Sequence, residues 1–270
     1  MQFLQIEVNK QNYLIDIDDV TELLQYQAPS SISYLPKHFD GVINHKEKII
    51  PIVSVRKLLG FSSYKDAQLS FIAKVEEQHV DWVKEFEHSL KTGEKFTKTL
   101  DPHKCELGTW IDDMLSCLRC NNHGFVDLLS QELASHHSAL HDNGKLFLND
   151  EAGDNNQKIK TIQENASNTI KGLHAIEAKI DKLTSAFEQI VLMKVNGVEI
   201  GVVVDRIDKA HDLDEKNYFT STKNMSKESK YVQFIDYYEI SKKLMFSVKF
   251  TNEFHKLLLE NSSQSSDLTA

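Results

Sequence analysis

The sequence predicts an α+β protein in which a β module is split by a long helical insertion. Three observations carry that expectation. Short apolar runs of strand period fill residues 3–62 and return after Glu188. Between them, residues 66–187 contain a single proline, Pro102, and their apolar spacing shifts to three and four. The two β stretches also repeat one another at a constant offset of 187 residues, without a gap.

In chain order, Phe3, Ile6 and Val8, then Leu14, Ile15 and Ile17, then Val42-Ile43 and Ile49-Ile50 read as short strands. Pro29, Pro36, Gly41 and Pro51 punctuate them, and residues 53–59 read as a short closing helix. After the helical block, residues 190–195 and 200–204 read as strands joined by an Asn196-Gly197 hairpin turn. Under the offset, Phe3-Leu4-Gln5-Ile6 lies over Ile190-Val191-Leu192-Met193, Val8-Asn9 over Val195-Asn196, and Ile17-Asp18 over Val204-Asp205. Two similar β units flanking a helical block are the expected form of a pseudo-symmetric domain that has received an insertion at an exposed loop.

Composition narrows the function. The chain has 270 residues, 40% hydrophobic and 26% charged, in the range of globular proteins. Its net charge of −9 argues against a nucleic-acid partner, which requires clustered Lys and Arg. No window reaches the ~20 apolar residues of a bilayer span, and residues 1–10 lack the pattern of a secretory signal, so a cytoplasmic location is expected. Three cysteines do not make a disulfide framework, and all three lie between positions 105 and 120. Phosphate-binding glycine loops, nucleophile elbows and paired-carboxylate motifs do not occur, and the expectation is a non-enzyme.

Seven of the twelve histidines and all three cysteines fall within residues 79–141. Imidazole and thiolate together suit a borderline-soft ion, Zn²⁺ first, in a four-coordinate tetrahedron. His137 and His141 stand at i and i+4 on a helical stretch, so they project from one face a turn apart. His79 lies on an earlier helix and Cys105 opens a following segment, so three helical segments would converge on the ion. Cys117-Leu118-Arg119-Cys120 with His123 is the competing metal motif, although no second CxxC accompanies it. Asp81 and Asp142 are the nearest carboxylates to orient the ligating imidazoles. The set of three His and one Cys fills a tetrahedron, and His137-Ser138-Ala139-Leu140-His141 lacks the glutamate of a hydrolytic zinc helix.

Two resemblances follow from these residues. Phe3 to Asp18, Val20-Thr21-Glu22-Leu23, Gly41-Val42-Ile43-Asn44, Ile50-Pro51-Ile52-Val53-Ser54-Val55 and Leu58-Leu59-Gly60 resemble the first half of a CheW-like chemotaxis coupling domain. Gly201-Val202-Val203-Val204-Asp205-Arg206-Ile207 resembles its second half. His79-Val80-Asp81-Trp82, Cys105-Glu106-Leu107-Gly108-Thr109-Trp110 and the His137/His141 pair, with 22 and 26 residues between the three blocks, resemble the chemoreceptor zinc-binding (CZB) domain. The resemblances imply a pair of small five-stranded antiparallel β barrels interrupted by a four-helix zinc-binding bundle. They divide the chain into a first CheW-like part at 1–62, the insertion at 63–187, a second CheW-like part at 188–260 and a flexible tail at 261–270. They carry the zinc-ligand role onto His79, Cys105, His137 and His141.

The implied function is a cytoplasmic adaptor between chemoreceptor cytoplasmic tips and the histidine kinase CheA, modulated by zinc and, through Cys105, by thiol oxidation. The alternative is a non-enzymatic zinc sensor or buffer outside the chemoreceptor array. Three departures from the family pattern motivate it: Lys46 and Glu47 where an Arg-Gly is usual, and Phe234 where a glycine is usual. A heptad pattern over 159–187 predicts one long amphipathic helix, read as the last helix of the bundle, leading into the second β stretch.

Overall fold

The computed structural model describes residues 1–33, 35, 38–118, 123–150, 152–214, 218–220 and 230–265. The chain divides into two compact units, Met1–Tyr64 with the chain from Phe187 onward, and Lys65–Ala186. It opens with β1 (Gln2–Val8), β2 (Gln11–Asp16), a 3-10 turn, β3 (Val20–Gln25), β4 (Phe39–His45), β5 (Lys48–Ser54) and α1 (Val55–Leu58). The helical block follows as α2 (Tyr64–Thr92), α3 (Glu106–Leu118), α4 (His123–Asp127), a π-helical turn (Leu128–Ala134), α5 (Ser135–Leu148), α6 (Asn155–Glu177) and α7 (Ile180–Phe187). The chain returns as β6 (Gln189–Val195), β7 (Val198–Val204), β8 (Arg206–Asp212), β9 (Tyr218–Thr220), β10 (Val232–Ile240), β11 (Lys243–Phe250) and α8 (Asn252–Ser265).

The 187-residue offset holds in space, since β1 and β6 start 187 residues apart and so do β2 and β7. The two sheets run β3-β6-β7-β5-β4 and β8-β1-β2-β11-β10-β9. Each therefore joins the first hairpin of one half to strands of the other half. Neither half can complete a sheet alone, which is why the two halves form one body although the helical block separates them in sequence.

That exchange also corrects the expectation of five antiparallel strands in each sheet. The seams β5–β7 and β2–β11 are parallel. Strands contributed by different halves are not joined by a tight turn, so nothing forces them antiparallel. β9 adds a sixth strand to the second sheet.

Period-two alternation places side chains on three cores. The largest contains Leu4, Ile6 and Val8 of one sheet with Val191, Met193 and Val202 of the other, and Phe254 of α8. A smaller cluster joins Phe3, Leu14, Tyr238 and Met245, and another joins Ile43, Ile50, Ile52, Ile190, Leu192 and Val203. The five-stranded sheet curls until its edges meet. Glu22 on edge strand β3 accepts from Lys46 at 2.7 Å and lies 2.9 Å from His45 Nε2, at the end of edge strand β4. Lys46 and Glu47 form the two-residue β4–β5 turn, both with positive φ. Phe234 packs into the β body, its ring stacked on Tyr13 at 5.7 Å and tilted against Phe246 at 5.6 Å.

In the helical unit, the heptad positions Ile159, Ile162, Ala166, Thr169, Leu173, Ile176, Ile180 and Leu183 are all buried, and the Thr169 hydroxyl is satisfied by donating to the Asn165 carbonyl. The expected single helix is nevertheless broken. α6 ends at Glu177 and α7 starts at Ile180, where Lys179 N–H turns back to the Ile176 carbonyl in a tightened i→i+3 bond. Within the expected tail, residues 261–265 continue α8, and 266–270 lie outside the described residues. Of the competing metal motif, Arg119 and Cys120 and the side chains of Cys117 and His123 also lie outside them. Among the described residues, no helix is long and apolar enough to cross a membrane.

Candidate metal centre

α2 is a 29-residue helix, and His79 sits near its middle, 3% exposed, with Trp82 one turn further along the same face. Cys105 stands at the N-cap position of α3, where its Sγ accepts the Gly108 N–H at 3.2 Å. α5 carries His137 and His141, 2% and 0% exposed. The structure brings all four together: one ligand atom from each of His79, Cys105, His137 and His141 lies within 4.8 Å of every other. Cys105 Sγ is 3.1 Å from His137 Nε2.

The surroundings prepare these side chains as lone-pair donors. His79 Nδ1 lies 2.6 Å from the Val75 carbonyl, which can only accept, so Nδ1 carries the proton and Nε2 is free to ligate. Both ring nitrogens of His141 are buried without a hydrogen-bond partner, an expensive arrangement unless something else occupies the lone pair. Burial pushes His137 down to about 2, helped by the neighbouring His141 and His79. Burial and then His79 push His141 down to about 4, against the Thr99 carbonyl, which acts from outside hydrogen-bonding geometry. Burial also lowers His79, against its bond to Val75. Burial raises the Cys105 thiol, opposed by the Gly108 and Leu107 amides.

Three neutral imidazoles and one thiol that must lose its proton make a donor set suited to zinc, and four protein ligands complete its tetrahedron. Zn–N and Zn–S bonds of about 2.1 and 2.3 Å would require these donors to draw closer together than they stand here.

Trp82 lies over the site, stacked on Phe86 at 5.4 Å and 5.3 Å from the His141 ring. Its edge fits because Gly144 has no Cβ to meet it. Gly108 is required by the turn that delivers Cys105, since a Cβ there would collide with the Pro102 carbonyl. The carboxylates nearest in sequence do not orient the imidazoles. Asp81 pairs with Lys84 at 2.9 Å on the surface, and Asp142 is exposed. His79 is held instead by the Val75 backbone carbonyl, which carries no sequence signal.

Comparisons with known proteins address the same segments. A model of the CheW-like domain matches residues 2–82, and a model of the chemoreceptor zinc-binding domain matches residues 79–148, which contain all four donors. Among solved structures, the scaffolding protein TtCheW from Thermoanaerobacter tengcongensis is similar over 94% of this chain and 91% of its own, at 11% identity and a TM-score of 0.44. No curated protein sequence matches. The chain thus carries a segment similar to the CheW-like domain, followed directly by one similar to the chemoreceptor zinc-binding domain.

Proposed function

We propose that this protein is a cytoplasmic chemotaxis coupling adaptor. In this reading residues 1–62 and 188–260 make a CheW-like body that meets chemoreceptor cytoplasmic tips and a CheA-type histidine kinase. Residues 63–187 hold one zinc ion on His79, Cys105, His137 and His141. The observation that carries the reading is the convergence of those four donors within the helical unit Lys65–Ala186, which splits a β unit whose first part matches the CheW-like domain. Bound zinc supplies a four-point cross-link between α2, the start of α3 and α5. Val75 holds the tautomer of His79, Trp82 keeps water from His141, and the α3 N-terminus favours the thiolate of Cys105. No catalytic step is assigned.

Capture of the full-length protein by receptor cytoplasmic tips and by the kinase, with and without a zinc chelator, tests this. Capture that changes on zinc removal in wild type, and is insensitive to chelator in Cys105→Ser, is expected. Absence of capture in both metal states contradicts the coupling role. The second reading, a zinc sensor or buffer outside the array, is favoured by Lys46 and Phe234, both engaged in internal contacts. It predicts stoichiometric zinc with no capture.

A further inference from the structure

The connection between α2 and α3 makes two contributions to the metal centre: the Cys105 thiol, and the Thr99 carbonyl that accepts from Trp82, whose ring lies against His141. No regular element holds this strap in place. Side chains of α2 do so instead. Glu85 Oε1 accepts both the Thr97 N–H at 2.7 Å and the Thr97 hydroxyl at 2.6 Å, and Trp82 Nε1 donates to the Thr99 carbonyl at 2.9 Å. Beyond Thr99 the strap is stitched internally to its end. Asp101 N–H donates to the Thr99 hydroxyl at 3.2 Å, His103 N–H to the Asp101 carboxylate at 3.0 Å, and Cys105 Sγ lies 3.6 Å from the Pro102 carbonyl.

Glu85 stands six residues after His79, nearly two helical turns along α2, and touches none of the four donors. Trp82 belongs to the quoted motif, whereas Glu85 and Thr97 belong to none. Glu85 is nonetheless the charged anchor of the strap: a carboxylate accepting two short hydrogen bonds from one residue fixes that residue's backbone more firmly than a neutral contact would. We propose that Glu85 is a positioning residue for the metal centre, holding Thr97 so that the strap presents the Cys105 thiolate and the Thr99 carbonyl together. The proposal rests on the four-donor zinc site described above.

The test compares wild type, Glu85→Ala and Glu85→Gln as full-length proteins, by chelator competition for zinc and by the cobalt–thiolate charge-transfer band of the Co²⁺-loaded forms. Glu85→Ala is expected to weaken zinc about 10–100-fold, the range for residues that orient ligands from outside the coordination sphere, and to diminish the thiolate band. Glu85→Gln retains an acceptor oxygen for Thr97 and is expected to restore most of the affinity. Should Glu85→Ala fail to fold, Thr97→Val, which removes the hydroxyl donor alone, is expected to weaken zinc several-fold. Wild-type zinc affinity and an unchanged cobalt band in the folded variant, even with a lowered melting temperature, would show a purely structural role and overturn the proposal. Stoichiometric zinc retained by both Cys105→Ser and His79→Ala would instead overturn the four-donor site itself, so the two failures are distinguishable.

Discussion

Four side chains that are apart in sequence meet because three are buried histidines on helices and the fourth, half-buried Cys105, stands at the start of α3, and burial sets their chemistry. Burial keeps all three imidazoles neutral down to a lower pH than a free histidine. Protons therefore compete with zinc chiefly at Cys105, whose thiol is raised by burial. Zinc affinity is expected to rise about tenfold per pH unit between pH 6.5 and 8, with about one proton released per ion. Calorimetry in buffers of different ionisation enthalpy measures that count, and a release of two or more protons would contradict it.

A second buried group acts in the β body. Arg56 and Asp205, 4% and 5% exposed, form a two-point ion pair, and Asp205 also accepts the Asn9 N–H at 2.7 Å. Glu188, also buried, is pushed up to about 8 by burial, then by Asp205 and Asp40, against Arg56 and Lys57. A carboxyl with a raised folded-state pKa binds its proton more tightly in the folded protein. Its ionisation therefore costs stability progressively as pH rises from about 4.5 to about 8. Glu188→Gln removes that slope. At pH 8 the variant is expected to be more stable by on the order of 2 kcal/mol, several degrees in melting temperature, and to match wild type near pH 5. Equal melting temperatures at pH 8 would refute this.

At the scale of elements, the four strand pairs joined by two-residue turns among the described residues share one device. Asn9-Lys10, Lys46-Glu47, Asn196-Gly197 and Ser241-Lys242 all have positive φ at both positions. Asn196-Gly197 was legible as a turn because its residue types suit that conformation. The other three were not, because Lys, Glu and Ser adopt it only when the flanking strands impose it. Exposed Glu47 is the clearest case. Glu47→Gly is expected to stabilise the β body by about 0.5–1 kcal/mol in denaturant unfolding, the relief of left-handed strain exceeding the entropy glycine adds to the unfolded chain. Destabilisation would show that the Glu47 side chain makes a compensating contact.

The helices show the same division. The heptad over 159–187 correctly marks a buried face, yet the break at Ala178-Lys179 involves neither glycine nor proline and has no composition signal. Phe125, Leu129, Leu133, His137 and His141 recur every fourth residue and are all buried. On an α-helix that spacing drifts about 40° per step. The wider turn at Leu128–Ala134 takes up part of the drift and keeps both histidines facing the core.

For the whole molecule, the insertion was legible because the β repeat keeps its offset on either side of it. The exchange of strands between halves was not, since strand order is set by packing between the halves and not by the pattern within either. The four converging donors were legible from spaced side chains, whereas the Val75 and Thr99 carbonyls and the Glu85 side chain carry no periodic mark. The exchange has a consequence for the β body as a unit. Its two chain ends at the insertion are close, with the Tyr64 and Phe187 rings stacked 6.3 Å apart, and Arg56 lies over Tyr64 while donating to the Ser62 carbonyl. Replacing residues 65–186 with a short Gly-Ser linker is expected to leave a β body that unfolds cooperatively and retains the pH slope from Glu188. A molten product without cooperative unfolding would contradict its independence.

The most direct test is X-ray absorption at the zinc edge of the full-length protein, with metal content measured on the same sample. The account predicts one zinc per chain, bound by three nitrogens near 2.1 Å and a single sulfur near 2.3 Å. A shell with two sulfurs, which would place the ion at Cys117 and Cys120, or none, or a protein that holds no zinc, would contradict it.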